Sequence, residues 1–309
     1  MAYNLKEQMS KPERFEAGHR LCAGCGAGIT CRAMMRAVDP EDKAVICNAT
    51  SCLEVSSFQY PYTAWQDSYI HAAFENTSAV AAGVESAYKA LKKKGKIQDN
   101  FKILAIGGDG GTYDIGFQSL SGALERGHDF TYFCYDNEAY MNTGTQRSSA
   151  TPRFASATTT PAGTESVGKK QNQKDLTQIV VAHGSPYVAQ TTFLGNFKDF
   201  HEKAHKAIYT EGPTFVNVLC PCPRGWQYSA ELLPEICRLA VETCVWPLYE
   251  VENGEYHLTY MPKKKLPVEE FMRLQGRFRH CFKPGNEWTI EAAQQYVDEK
   301  WDALLAKCK

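Results

Sequence analysis

The stretch FKILAIGGDGG, residues 101–111, joins an uninterrupted apolar run to a glycine-rich turn. Short apolar runs bounded by turn residues are typical of strands that are buried on both faces of a parallel sheet. A helix-forming stretch follows at residues 115–127, and a second apolar run, FTYFCYD, occupies residues 130–136 before the loop NEAYMNTG. This succession predicts a strand, loop, helix, strand and loop of one parallel sheet.

The same alternation continues on both sides of this unit. It predicts helices at residues 26–37, 76–93 and 196–210, strands at residues 44–47 and 213–220, a further strand within 185–193, and a closing helix at 291–307. We therefore expect an α/β protein with a doubly wound, mostly parallel sheet. Residues 143–178, rich in Thr, Ser, Gly and Lys, are predicted to be a binding loop. We expect residues 1–230 to form the main domain and residues 231–309 to form a C-terminal arm that packs on the core or on a partner subunit.

Composition narrows the possible classes of protein. The chain has 309 residues, of which 43% are apolar, which is enough to bury a full core. A net charge of -1 gives no electrostatic reason to expect binding to nucleic acid or to a membrane surface. The polar N-terminal stretch and the absence of a long apolar run favour a cytoplasmic protein. Twelve cysteines in such a chain are better explained by metal ligation than by disulfides.

The glycine-rich turn after residue 107 is a candidate phosphate site. Ligands of open parallel sheets lie beyond the carboxyl ends of strands, where glycines let backbone N–H groups approach phosphate oxygens. Asp109 offers a hard carboxylate ligand for Mg²⁺, Asn137 follows the next strand, and the backbone carbonyl of Ala139 completes the protein's share of the coordination. The local sequence leaves open the alternative that GDGG is only a tight turn.

The cysteines predict a metal centre. Cys22 and Cys25 form a Cys-x-x-Cys pair in CAGCG, and distant segments provide Cys52 in NATSC and Cys222 in PCPRGW. A 4Fe-4S cluster takes four thiolates in such an arrangement. Cys47 and Cys220 are competing choices for the last two ligands, and structural zinc is the alternative to iron.

The glycine turn and the following loop together resemble a known cofactor motif. GDGG followed after about 25 residues by DNEAYMNTG resembles the thiamine diphosphate motif of the 2-oxoacid:ferredoxin oxidoreductases. The resemblance covers most of residues 18–260. Within this family, the chain resembles the beta subunits of the pyruvate type. It extends through CAGCG, NATSC, YPYTAW, HAAFENTSAVAAGVESA, ALERG, QRSSATP, CPCPRGW and RLAVETCVWPLYE. It implies the thiamine diphosphate-binding, diphosphate-domain fold.

The resemblance also implies roles for individual residues. The residues implied to hold the cofactor are Gly108, Asp109, Gly110, Gly111, Asn137, Asn142 and Cys52, with Asp109, Asn137 and Ala139 on Mg²⁺. Asn142 is implied to lie near the reacting thiazolium and to be catalytic. The implied ligands of the 4Fe-4S cluster are Cys22, Cys25, Cys52 and Cys222. A neighbouring thiamine site favours iron over zinc, because carbanion oxidation needs a one-electron acceptor.

The activity implied by the resemblance is oxidative decarboxylation of a 2-oxoacid, with pyruvate as the first candidate. Coenzyme A would take the acyl group, and electrons would pass through the cluster to ferredoxin. An alpha subunit would supply the glutamate on the pyrimidine side of the cofactor, so we expect the isolated chain to be inactive, and gamma and delta subunits would complete the assembly.

Two alternatives remain open from the sequence. Arg224 and Ser51 depart from the pattern expected for pyruvate enzymes and favour oxalate or another 2-oxoacid as an alternative substrate. A non-catalytic iron–sulfur scaffold is a different class of function, and the intact Asp109, Asn137 and Asn142 argue against it.

Overall fold

The computed structural model describes residues 4–308 of the chain. Within these residues, one sheet of eight strands has the order β2-β1-β3-β4-β6-β5-β7-β8. The strands are Lys43–Ala49 (β1), Ser68–Ala72 (β2), Phe101–Gly108 (β3), Thr131–Asp136 (β4), Tyr187–Thr191 (β5), Thr214–Leu219 (β6), Tyr249–Glu252 (β7) and Glu255–Leu258 (β8). Strands β1 to β6 are parallel, and β7 and β8 join the edge antiparallel. The predicted fold class, α/β with a mostly parallel sheet, is confirmed.

Helices cover both faces of the sheet. They are Leu5–Ser10 (α1), Gly26–Met35 (α2), Cys52–Ser57 (α3), Thr77–Lys93 (α4), Phe117–Glu125 (α5), Leu176–Val181 (α6), Phe197–Tyr209 (α7), Pro223–Trp226 (α8), Leu233–Glu242 (α9), Val268–Arg273 (α10) and Glu287–Lys307 (α11). Each helix predicted from the sequence is present within a few residues of its expected ends. Asn196 begins α7 as expected of an N-cap, since its side chain accepts a hydrogen bond from the Asp199 amide at 3.1 Å.

Two apolar layers form because successive strand residues point to opposite faces of the sheet. On one face, Ile46, Leu104 and Val216 pack in the same cluster as Met35 of α2 and Phe200 of α7. The opposite face carries the adjacent residues of the same strands, Cys47, Ala105 and Phe215. They belong to the same apolar cluster as Ala81 of α4, Leu120 of α5 and Trp301 of α11. Burial on both faces explains why the strands are apolar runs without polar alternation.

The turn after β3 differs from the expected loop. Residues Gly110–Asp114 form a single π-helical turn, in which the Ile115 amide donates to the Gly110 carbonyl at 3.1 Å. Asp109 itself has helical backbone angles, with φ -57° and ψ -43°. Turns of this kind are wider than α-helical ones and are frequent at functional sites. Gly110 and Gly111 therefore begin a helical turn at the carboxyl edge of the sheet.

The residues after 230 contribute to the same sheet and core. Strand β7 pairs with β5, with Val251 opposite Val188. Trp301 of α11 belongs to the apolar cluster that contains Phe154 and Phe278. None of the helices within residues 4–308 is long and apolar enough to cross a membrane.

Candidate active site

The candidate active site is a cleft at the carboxyl ends of β1, β3 and β4. Three strand-end segments and Phe74 form its walls, because carboxyl ends of parallel strands meet at one edge of a sheet. The residues that line it are Thr50, Ser51, Cys52, Phe74, Gly108, Asp109, Gly110, Gly111, Tyr135, Asn137, Ala139, Tyr140, Met141, Asn142 and Thr143. Every residue assigned to the thiamine cofactor or to Mg²⁺ from the sequence therefore lies at this one cleft.

Asp109 is a buried carboxylate at the floor of the cleft, with 1% of its surface exposed. Its Oδ2 accepts a hydrogen bond from the Ser148 hydroxyl at 2.5 Å. Burial raises the pKa of Asp109 to about 8, and the nearby charge of Glu138 acts in the same direction. A bound cation would act in the opposite direction by favouring the charged carboxylate. Within residues 4–308, this carboxylate has the Ser148 hydroxyl as a partner and forms no ion pair.

Asn137 brings a further polar group to the same point. One terminal atom of its side-chain amide lies 2.8 Å from the Ala139 carbonyl oxygen and 3.0 Å from Oδ1 of Asp109. As the nitrogen, this atom donates two hydrogen bonds; as the oxygen, it completes a group of three oxygens. Oxygens at adjacent corners of an Mg²⁺ octahedron are about 3.0 Å apart, given Mg–O distances of about 2.1 Å. The donor set of Asp109, Asn137 and Ala139 therefore fits magnesium in both chemistry and spacing.

Gly110 is required by the close approach of an aromatic ring. A Cβ atom built on Gly110 would lie 2.3 Å from Cε1 of Tyr140. The Tyr140 hydroxyl in turn donates to the Gly110 carbonyl at 3.3 Å. No larger residue fits at this position without moving Tyr140, so the ring and the glycine turn together shape this wall of the cleft.

Cys52 begins helix α3 beside the glycine turn. The preceding residue, Ser51, caps this helix, with its Oγ accepting from the Glu54 amide at 3.3 Å. Ser51 lines the cleft, whereas Arg224 is exposed and does not line it. The position of Arg224 in this chain thus gives no support to direct contact with a second substrate carboxylate.

The four cysteines assigned to a cluster are electrostatic neighbours. The pKa of the Cys52 thiol is raised to about 12, chiefly by burial and in part by the thiols of Cys222, Cys25 and Cys22. The pKa of Cys25 is likewise raised to about 11, first by burial and then in part by Cys222 and Cys22. All four are free thiols. Among residues 4–308, no group of three or more His, Cys, Asp or Glu side chains is arranged to hold a metal ion.

The competing cysteines differ in their surroundings. Cys47 is buried in β1, and its pKa is raised to about 12 by burial alone, without a contribution from another cysteine. Cys220 is buried at the end of β6, where burial raises its pKa and the hydroxyl of Thr30 hydrogen-bonds its thiol. Cys25 contributes to its electrostatics, so Cys220 is close to the group without belonging to the mutually interacting four.

Sequence reasoning missed several residues of the site. Ser148, which bonds Asp109, lies 39 residues away from it and has no spacing relation to the glycine turn. It stands within QRSSATP, which was recognised only as part of a resemblance. The aromatic wall of Phe74 and Tyr140 has no sequence signal of its own, since single aromatic residues more often belong to the core.

Comparison with known proteins gives the class first. The sequence profile of the thiamine pyrophosphate enzyme C-terminal TPP-binding domain matches residues 19–218. The chain therefore belongs to the thiamine pyrophosphate enzyme family.

Relatives give the particular group. The chain is 52% identical over 299 residues to the pyruvate synthase subunit PorB of Methanocaldococcus jannaschii, covering 96% of this chain and 98% of that one. It is 50% identical over 313 residues to the PorB subunit of Thermotoga maritima, covering 99% and 96%. The ketoisovalerate oxidoreductase subunit VorB of Pyrococcus furiosus is 43% identical over 305 residues, covering 97% and 96%. Within the family, the chain groups with the beta subunits of the 2-oxoacid:ferredoxin oxidoreductases.

A solved structure has the same fold. The 2-oxoglutarate:ferredoxin oxidoreductase from Magnetococcus marinus superposes with a TM-score of 0.56 at 22% identity, over 77% of this chain and 81% of that chain. At this identity the match establishes the architecture alone.

Proposed function

We propose that this chain is the cofactor-binding beta subunit of a pyruvate synthase that oxidatively decarboxylates pyruvate with coenzyme A. The observation that carries the proposal is the convergence of the GDGG turn, Asn137, Asn142 and Cys52 on one cleft. The PorB relatives, named as pyruvate synthase subunits, support pyruvate as the substrate. A cytoplasmic location is part of the proposal.

The chain's own residues would hold two groups side by side. When bound, thiamine diphosphate supplies an electron sink for loss of CO₂, and a 4Fe-4S cluster supplies a one-electron acceptor. Asp109, Asn137 and the Ala139 carbonyl would hold the Mg²⁺ that anchors the diphosphate. Backbone amides of Gly110 and Gly111 would face the phosphate oxygens at the start of the π-helical turn.

The wall residues would control the reacting end of the cleft. Phe74, Tyr140 and Met141 place apolar surface at the cleft and would exclude water from it. Asn142, from the same wall, would face the reacting atoms and orient the substrate by hydrogen bonds. Cys52 lines the cleft and is an electrostatic neighbour of Cys22, Cys25 and Cys222, so it would keep the cluster within reach of electrons from the cofactor.

Partner subunits would complete the enzyme. An alpha subunit would supply the glutamate that holds the aminopyrimidine in its reactive tautomer, and gamma and delta subunits would carry electrons towards ferredoxin. The PorB relatives are named as subunits, which supports a multi-subunit assembly. A branched 2-oxoacid is the second candidate substrate, favoured by the 43% identity to a ketoisovalerate oxidoreductase subunit.

The proposal is tested on the whole purified assembly. Viologen reduction would be measured with pyruvate, 2-ketoisovalerate and oxalate in the presence of coenzyme A, and we expect the highest kcat/KM with pyruvate. Thiamine diphosphate content would be measured in parallel for the Asp109→Ala assembly, where we expect loss of the cofactor. If that variant keeps its cofactor and its turnover, the assignment of Asp109 to the site is refuted. A higher kcat/KM with another 2-oxoacid would refute pyruvate as the substrate.

A further inference from the structure

A buried ion pair joins the C-terminal part of the chain to the turn that follows β4. Arg277 lies in the 3-10 segment Gly276–Phe282, and its Nη2 donates to Oε2 of Glu138 at 2.5 Å. The two residues are 2% and 1% exposed. Glu138 stands between Asn137 and Ala139, the residues that we assign to Mg²⁺. The positive charge of Arg277 therefore contacts Glu138, the middle residue of the proposed metal-binding turn.

This turn has a backbone conformation that needs support. Glu138 has φ +66°, in the left-handed region that residues with a Cβ atom rarely adopt. Its amide donates to Oδ1 of Asp136 at 2.9 Å, and its carbonyl accepts from the Thr151 hydroxyl at 2.5 Å. Its remaining carboxylate oxygen accepts from Nε2 of Gln173 at 3.0 Å. The side chain is thus anchored on both oxygens, and this anchoring fixes where Asn137 and the Ala139 carbonyl point.

The other face of Arg277 contacts the segment that carries Cys222. Its guanidinium lies 3.8 Å from the centroid of the Trp226 ring, and Nε1 of Trp226 donates to the Asn137 carbonyl at 2.8 Å. Trp226 ends helix α8, which begins directly after Cys222. One side chain therefore contacts both the metal-binding turn and the short helix beside the cluster ligand.

The charge of Arg277 also reaches the cysteine group. Its guanidinium packs on the ring of Trp226, and the backbone amide of Trp226 donates to the Cys222 carbonyl at 2.9 Å. A fixed positive charge close to an iron–sulfur cluster favours the reduced, more negative state of that cluster.

We infer that Arg277 is a positioning residue for both cofactor sites. Through Glu138 it holds the Asn137–Ala139 turn in its left-handed shape, and it supplies positive charge beside Cys222. This inference rests on the proposed function, since it takes the Mg²⁺ ligands and the cluster ligands from there. It gives residues 231–309 a direct part in the site. Neither the sequence motifs nor the family match, which covers residues 19–218, assigns them such a part.

An Arg277–Glu138 ion pair that served only to stabilise the fold would respond differently to substitution than one that positions the cofactor sites. Breaking a buried ion pair is strongly destabilising because one charge is left without a partner, whereas replacing both members by neutral groups is often tolerated. A stability measurement alone therefore cannot separate the two roles. The chain offers a matched control in Lys203 and Asp199, a buried ion pair of helix α7 whose lysine also contacts Gln190 and Thr259.

The experiment uses the whole assembly with four changes to this chain. They are Arg277→Lys, Arg277→Met, the neutral double change Glu138→Gln with Arg277→Met, and the control double change Asp199→Asn with Lys203→Met. For each, the Kd for thiamine diphosphate with Mg²⁺, the midpoint potential of the cluster and the Tm are measured. The cluster of this chain is identified as the electron paramagnetic resonance signal that is lost in a Cys52→Ser assembly.

We expect the neutral double change to weaken thiamine diphosphate binding at least tenfold, although it leaves no unpaired charge. Arg277→Met is expected to shift the midpoint potential to a more negative value, and Arg277→Lys, which keeps the charge, is expected to restore it. The control double change is expected to alter only the Tm.

Two outcomes would overturn parts of this account, and they are distinguishable. If the neutral double change keeps Kd within twofold and Arg277→Met leaves the potential unchanged, the role of Arg277 is refuted while the proposed function stands. If Asp109→Ala and Cys52→Ser assemblies retain their cofactor and cluster, the proposed function fails first, and the inference about Arg277 fails with it.

Discussion

Individual cysteines in one loop provide a matched test of the cluster assignment. Cys220 and Cys222 are two residues apart, but only Cys222 lies among the mutually interacting thiols of Cys22, Cys25 and Cys52. We expect Cys222→Ser to remove most of the iron assigned to this chain, because a cluster corner loses its thiolate. Cys220→Ser is expected to keep the iron. Iron content and the visible spectrum of the purified assembly measure both, and equal iron in the two variants would contradict the assignment.

A buried histidine gives the chain a defined pH response. Burial, followed by the charges of Lys11, Arg36 and His205, lowers the pKa of His201 from 6.5 to about 4. Between these values the unfolded chain binds a proton that the folded chain does not bind. The free energy of unfolding therefore falls as the pH drops from 6.5 towards 4, by at most about 1.4 kcal/mol per pH unit.

The change His201→Phe tests this response. It keeps the aromatic contacts with Phe193 and Phe200 and removes the titrating group. We expect denaturant unfolding of the chain to depend less on pH between 6.5 and 4.5 in this variant, and the exposed control His257→Phe to behave like the parent chain. An unchanged slope in His201→Phe would show that other groups cause the acid sensitivity.

At the scale of residues, the predictable part of the site was the part that lies at strand ends. Asp109, Asn137 and Cys52 each follow an apolar run, and parallel strands place such positions at one edge. Ser148 and Arg277 could not be predicted in this way, because they reach the site from segments 39 and 139 residues away from their partners. Long-range contacts of this kind depend on how loops return to the sheet, which no local pattern encodes.

At the scale of elements, the π-helical turn joins the sheet to the cleft. Gly110→Ala places a methyl group where Tyr140 now lies, so either the ring or the turn must move. We expect the variant to weaken thiamine diphosphate binding at least tenfold, measured by calorimetry on the assembly, with little loss of Tm. Gly163→Ala is the control, since a Cβ there meets no atom within 4 Å. Wild-type affinity in Gly110→Ala would show that the ring can yield without cost.

The elements themselves were predictable to different degrees. Buried strands such as β3 and β4 were recognised because burial on both faces makes them continuous apolar runs. The sequence pattern does not predict the hairpin of β7 and β8, although Asn253 and Gly254 have the positive φ angles of 49° and 87° that suit a tight hairpin turn. Its strands alternate apolar and polar residues and are only four residues each, so their pattern is weak.

At the scale of the whole molecule, large apolar side chains lie exposed in the segment that leads into β2 and on β2 itself. Tyr60 and Tyr62 are 94% and 85% exposed, and Ile70 of the edge strand is partly exposed. We expect the purified chain alone to give no viologen reduction with pyruvate and coenzyme A, and co-purified partner subunits to restore it. Turnover by the isolated chain would contradict the need for a glutamate from an alpha subunit.

The ion pair between Glu138 and Arg277 has a consequence for synthesis of the protein. The two residues are separated by 139 positions, which a ribosome translates in roughly seven to thirty seconds. During that interval the nascent chain already contains the glycine turn, Cys22, Cys25 and Cys52, and it gains Cys222 before Arg277 is made. The carboxylate of Glu138 has no cationic partner until Arg277 is added. Loading of inorganic and organic groups into a correctly shaped pocket is therefore expected only after translation is almost finished.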